Sequence, residues 1–236
     1  MATELLRASA EAEAFARLRT CVACERLISA RHAVASGARA ECLHLVISGV
    51  VARCRRFADG RRQITALILP GDVCDLADHI RGGNVLDHVT LSDCRIGEIP
   101  RSALFADGGL RPEWSEFAIR MLAREGEIAT EWIVSLARRS AYEAAAHLFC
   151  ELWVRMDAAG QTDGQSFAFA LTQADLGDAL GMTSIHVNRT LRNLRNAGLV
   201  SVAKKRATIH DLTALRQVAD FDPTYLQSNS REVTRS

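Results

Sequence analysis

The apolar positions change rhythm along the chain. Between Ala38 and Ile99 they come in short strand-like runs: Leu43, Leu45 and Ile47, then Val50 and Val51, then residues 64–69 and 89–99. Gly49, Asp59-Gly60, Pro70-Gly71-Asp72 and Gly82-Gly83-Asn84 separate the runs as turns, and Asp59-Gly60 reads as a hairpin. Short strands at regular spacing predict a small β-barrel or jelly roll. From Pro112 to about Arg139 the rhythm becomes helical. Trp114, Met121, Ile128 and Trp132 recur near heptad spacing, joined by Phe117, Leu122, Ile133 and Leu136, with Glu125 interrupting the stripe. So apolar a stripe needs cover, and Met121, Ile128 and Trp132 are expected at a two-fold helix interface. A second helix is expected over 140–156, with Ala144, Leu148, Leu152 and Val154 facing a core. Residues 4 to about 30 also read as helical. Residues 158–165 read as a polar loop and 223–236 as a polar tail.

The stretch from Leu171 to His210 has its own texture. Thr172, followed three residues later by Asp175, is a variant of the capping box. Leu176, Ala179 and Leu180 give a first helix its apolar stripe, and Gly181 ends it where a left-handed backbone favours glycine. Thr183 caps a second helix, whose Val187, Leu191 and Leu194 fall on one face at i, i+4 and i+7. Ile185, Asn188, Arg189 and Arg192 lie opposite. Gly198 closes that helix, and residues 199–202 and 207–210 are strand-like on either side of Lys204, Lys205 and Arg206. This is the pattern of a helix-turn-helix with a β-wing. No Asp or Glu occurs between Thr183 and His210, while six Lys and Arg do. A surface of one sign suits phosphate through counterion release.

Composition places this basic stretch in context. The whole chain of 236 residues has a net charge of only +1, so the positive charge is a local concentration. With 48% hydrophobic and 24% charged residues the composition is that of a soluble protein with room for two cores. No run of about 18 apolar residues predicts a membrane span, and the charged N-terminus lacks the apolar core of a signal peptide. The cytoplasm is the expected location, and reduced thiols the expected state of the seven cysteines. No Ser/His/Asp pattern, Gly-rich phosphate loop or HExxH points to an enzyme.

A barrel, one long helix and a winged helix-turn-helix, in that order, resemble the Crp/Fnr family of bacterial transcription regulators, in the form common in alphaproteobacteria. The most specific stretches are residues 70–76 (PGDVCDL), 131–136 (EWIVSL), 171–177 (LTQADLG) and 185–191 (IHVNRTL). The resemblance implies an α+β chain. Residues 1–111 would be a jelly-roll sensor of the cyclic-nucleotide-binding type, 112–139 a dimerisation helix, and 140–222 the DNA-binding domain. It implies a homodimer on double-stranded DNA, with RNA polymerase as a further partner and no membrane. Ser184, Ile185 and Arg189 fall where the family reads bases. Arg bidentate to guanine is the commonest specific contact. Family members often carry Glu where Ile185 stands, and Ile185 can only pack on a thymine methyl. Thr183, His186, Lys204 and Lys205 are assigned to phosphates. Thr172, Gln173, Asn188 and Arg192 complete the candidate set.

For the sensor, Gly71, Asp72, Val73, Asp75 and Leu76 are the candidate effector pocket. Cyclic-AMP-binding members use a Gly-Glu and a later Arg. Here Gly71-Asp72 occupies the turn and no Arg lies between Gly82 and Cys94, so cyclic AMP is not expected. Oxygen-sensing members hold an iron–sulfur cluster on four cysteines, three closely spaced near the N-terminus. Here only Cys21 and Cys24 are close, the next being Cys42. They are the candidate metal or thiol-switch pair. Heme through His79 or His88 has still less support, and no cofactor is assigned. Asp72, Asp75, Asp78 and His79 are expected to lie on a turn and a solvated helix face. The competing function is an effector-binding or redox-sensing module acting through protein contacts. The outward arginines speak against it, since packing alone has no use for them.

Overall fold

The computed structural model describes residues 15–34, 41–83, 86–106 and 109–226. Residues 15–20 are helical (α1). Strands β1 (Cys24–Ile28), β2 (Cys42–Ser48), β3 (Val51–Arg56) and β4 (Arg62–Ile68) follow, then α2 (Leu76–Arg81), β5 (Asp87–Thr90) and β6 (Cys94–Pro100). They form two antiparallel sheets, ordered β1-β6-β2 and β4-β3-β5, and the loop residues Val73 and Ala33 bridge to Leu45 and Val89 at their edges. Their inward side chains, among them Leu43, Leu45, Val46, Val51, Ile64, Leu67 and Ile96, are fully or almost fully buried. The Asp59-Gly60 hairpin is present, closed by the Phe57 N–H on the Arg61 carbonyl at 2.9 Å.

The N-terminal helix stops short of its expected length. Residues 24–28 are strand β1, paired with β6 in register from Cys24 opposite Glu98 to Ile28 opposite Cys94. The open edge of β6 offered backbone hydrogen bonds that outweigh a weak helical pattern, and Leu27 is left 81% exposed on the outer strand. The part of the expected helix before residue 15 lies outside the described residues.

A short helix α3 (Arg101–Leu104) and a two-stranded ribbon, β7 (Phe105–Ala106) and β8 (Gly109–Leu110), lead into the long helix α4 (Pro112–Arg138). Pro112 opens it at a position where its missing N–H costs nothing. Helix α5 (Ala141–Ala158) starts on a full capping box between Ser140 and Glu143. The reading domain follows: β9 (Thr162–Asp163), β10 (Ser166–Ala168), α6 (Gln173–Leu180), α7 (Ser184–Asn196), β11 (Val200–Ala203), β12 (Arg206–Ile209) and α8 (Leu212–Ala219). Its sheet runs β11-β12-β10-β9.

Two expectations about packing change here. Residues 223–226 are not loose tail but a 3-10 turn. Leu226 is buried there, Tyr225 stacks on His147, and its hydroxyl donates to Glu151 at 3.2 Å. Residues 227–236 lie outside the described residues. The stripe of α4 is also used differently. Ile128 and Trp132 are only 7% and 8% exposed within the single chain. One apolar cluster runs from Ala52 and Leu67 of the barrel through both of them to Phe149 and Leu152 of α5. The Trp132 indole donates to the buried Glu151 carboxylate at 3.0 Å, and Met121 packs half-buried on the barrel cluster. Met121, Ile128 and Trp132 therefore face inward. The free face of α4 carries Ile119 and Ile133, 67% and 65% exposed, with Leu136. Between them Ala123, Gly126 and Thr130 are small and exposed.

Candidate nucleic-acid interface

The turn between α6 and α7 is built on two glycines. Gly181 takes a left-handed φ of 66° and its N–H caps the Gly177 carbonyl. A β-carbon on Gly177 would sit 2.5 Å from the Met182 carbonyl oxygen, so only glycine lets the helices come so close. Thr183 then caps α7, its hydroxyl accepting from the His186 N–H at 3.3 Å. Val187, Thr190 and Leu194 are buried beneath α7. Thr190 takes the inner position and Leu191 is half-buried, because the helix is rolled slightly from the expected face. Thr183, Ser184, Ile185, His186, Asn188, Arg189 and Arg192 are all exposed. Ile185 is 84% exposed, a costly place for a large apolar side chain unless something covers it. Asn188 accepts from Arg192 at 3.4 Å, one turn away.

At the start of α6 the structure separates two residues that the sequence grouped. The Thr172 N–H and hydroxyl both donate to one Asp175 oxygen, at 2.8 and 2.7 Å. The Thr172 side chain is thereby engaged in the cap, while Gln173 beside it is exposed.

The wing places Lys204 and Lys205 at the tip between β11 and β12, where Ala203 pairs with Arg206. Both lysines have positive φ, 50° and 58°, as a type I′ turn requires at its two central residues. Asn-Gly would fill such a turn at less steric cost, which is why the tip carried no turn signature in the sequence.

Residues that sequence reasoning missed lie in the barrel. Asp175 is fully buried, and Arg31 reaches it with both terminal nitrogens, at 2.6 and 2.7 Å. Arg62 adds 2.7 Å to the same carboxylate and 2.8 Å to Asp178. Burial pushes the Asp175 carboxyl up, but the bonds from Arg31, Thr172 and Arg62 more than offset it and hold it well below the ordinary carboxylate range. Arg31 and Asp175 are 144 positions apart, and no local pattern announces such a pairing.

Of the five effector-pocket candidates, Asp72 and Val73 line a cavity. It lies between β4, α4 and α5, lined by Arg53, Arg124 and Arg155 among others, with a volume of about 40 Å³. Small-molecule pockets are typically ~300–1,000 Å³. Asp72 is itself occupied: it accepts from Arg155 at 2.8 Å, from Arg124 at 3.1 Å and from the Leu69 N–H at 2.8 Å. Burial raises its pKa, and the two guanidinium groups more than reverse that. Leu76 belongs to the barrel core, and Gly71 turns the chain at φ 100°. Asp75 accepts from the His44 ring at 2.6 Å and from its backbone N–H at 3.0 Å. Asp75, Asp78 and His79 are thus buried rather than on a solvated face, Asp75 against His44 and His79 against the Cys42 carbonyl of β2. Among the described residues no three His, Cys, Asp or Glu side chains converge as a metal site. Cys24 donates to Glu98 at 3.2 Å, and that bond, with the nearby carboxylate charge, raises its pKa, opposite to what a reactive thiol needs.

An acid-free reading helix, a basic wing and a sheet-built sensor joined by one long helix define a DNA-binding regulator with a sensory domain. Residues 32–106 match the family described as "Cyclic nucleotide-binding domain", and residues 143–218 match "Crp-like helix-turn-helix domain". The chain is 32% identical over 182 residues to the nitrogen fixation regulation protein FixK of Azorhizobium caulinodans, covering 76% of this chain and 72% of that protein. An anaerobic regulatory protein of Pasteurella multocida is 27% identical over 185 residues, 78% of this chain and 67% of that one. Among solved structures, FixK2 from Bradyrhizobium japonicum shares the fold with a TM-score of 0.70 at 24% identity, covering 83% of this chain and 96% of that chain. The chain belongs to the Crp/Fnr family of transcription regulators, which are not enzymes.

Proposed function

We propose that two copies of this chain read a two-fold DNA operator. Ser184, Ile185 and Arg189 face base edges, while Gln173, Thr183, His186, Lys204 and Lys205 face phosphates. The observation that carries this is the α7 surface itself, exposed from Thr183 to Arg192, free of acidic residues and bearing a solvated isoleucine beside an arginine. Ile185 favours a thymine methyl where a family Glu would favour cytosine. A homodimer is supported by the exposed Ile119 and Ile133 on α4. RNA polymerase as a further partner and the cytoplasm as location belong to the same proposal. No helix among the described residues is long and apolar enough to cross a membrane.

Selection of bound fragments from random DNA, followed by titration across salt concentration, tests the interface. Lys204→Ala with Lys205→Ala should weaken all sequences alike and lower the slope of log K against log salt by ~0.9 for each lost phosphate contact. An unchanged slope places the wing away from DNA.

Cyclic AMP is not the effector in this reading. The carboxylate of Asp72 is bound by two arginines, and no arginine lies between Gly82 and Cys94 to hold a cyclic phosphate. Added cyclic AMP should leave the melting temperature unchanged. A true ligand at 100 times its Kd would stabilise by ~2.7 kcal/mol, a shift of several degrees. A saturable rise would overturn this reading of the missing arginine.

A further inference from the structure

The reading domain meets the barrel through directed charge as well as through the shared apolar core. Asp175 is the third residue of α6. Its carboxylate closes the first turn of that helix and receives three bonds from two barrel arginines, Arg31 and Arg62. The Arg31 pair is bidentate, a geometry that fixes angle as well as distance. At the far end of α6, the Gln63 side chain donates to the Ala179 carbonyl at 3.4 Å. Helix α6 is therefore held at both ends. Arg31 has a φ of 71°, in a region that non-glycine residues rarely adopt. Its N–H is fixed on the Thr90 carbonyl at 2.7 Å. Backbone held in such a conformation is over-determined by its surroundings and marks a place where function is worth looking for.

We propose that Arg31 and Arg62 are positioning residues for DNA recognition: by clamping α6 to the barrel they set the separation and angle of the two reading helices, and so make the dimer selective for the spacing between half-sites. This rests on the dimeric reading above. One added base pair moves a half-site by ~3.4 Å and turns it by roughly a tenth of a helical turn. A reading domain free to pivot would absorb that change. The apolar contact at Ile128 and Trp132 is non-directional and resists pivoting poorly. The bidentate pair and its neighbours supply the missing direction. A rigid link gives the second half-site a high effective concentration at one spacing and a low one at others.

The test compares the wild type with the double variant Arg31→Ala/Arg62→Ala and with Asp178→Ala. Asp178→Ala removes one end of the Arg62 contact while leaving the capping box whole. Each protein is titrated against the selected palindrome, the same palindrome with one base pair inserted, and a single half-site. The wild type should lose about 100-fold on insertion, and the double variant less than about fivefold. Asp178→Ala should fall between them. Half-site affinity should agree within about twofold for all three proteins. A double variant that keeps the full insertion penalty overturns the proposal, as does one that binds the palindrome more tightly. A parallel loss on the half-site means a damaged reading domain and also overturns it. If the double variant does not fold, the insertion penalty of Asp178→Ala decides in the same way. A wild type that binds neither palindrome nor half-site would instead refute the DNA-binding interface itself.

Discussion

Arg189→Ala should sharply reduce discrimination between operator and unrelated DNA while leaving the melting temperature unchanged. The side chain is exposed on α7 and takes no part in the buried face of Val187, Thr190 and Leu194, so the fold has no stake in it. One bidentate contact to guanine is worth ~1–3 kcal/mol, and a two-fold complex contains it twice. At ~1.4 kcal/mol per factor of ten, the loss should be about 30-fold or more on the operator. Unrelated DNA should change far less, since it gains only from charge. Competition titrations at fixed salt measure both. Operator affinity within twofold of the wild type would mean that α7 does not read bases.

Ile133→Glu should give a folded monomer that no longer binds the operator. In the single chain Ile133 is 65% exposed, so a glutamate there meets water and costs the monomer little. In a paired α4 seam the same glutamate would be buried opposite its own copy, at a cost of several kcal/mol for each unpaired charge. Sedimentation should show half the wild-type mass with an unchanged circular dichroism spectrum. Half-site binding should survive and cooperative operator binding should not. Ile128→Glu is the instructive contrast. Ile128 lies in the core shared by barrel and α5, so that change should unfold the chain rather than split a dimer. A full-strength dimer of Ile133→Glu would move the seam off this face.

The strand rhythm, the proline at the head of α4, the caps at Thr172 and Thr183 and the glycine turn are local patterns, and each was legible without coordinates. Legibility failed where the answer depended on partners far along the chain. The heptad-like stripe of α4 announced an apolar face but not what would cover it, and two faces compete on one helix. Trp132 and Ile128 went inward because α5 and the barrel arrive on that side. Asp175 read as a capping residue, which it is, but its buried side also serves two arginines from a different domain. The Asp72 turn sits where family members place ligand contacts. Its carboxylate is paired with Arg124 and Arg155, from α4 and α5, partners too far along the chain for the sequence to announce. Tyr225 sat in a polar-looking tail because its partners Glu151 and His147 lie far upstream.

The two lysines at the wing tip hold backbone angles that suit glycine or asparagine. Each such residue costs on the order of 1 kcal/mol or more. The wing is therefore not the most stable ribbon these strands could form. Selection for thermal stability alone, in the laboratory or over generations, would drift towards Asn-Gly at these two sites and gain in melting temperature. Each step would also erase a positive charge at the wing tip, which the proposed interface sets against the DNA backbone. At this turn robustness and grip are opposed, and the chain carries the strained version.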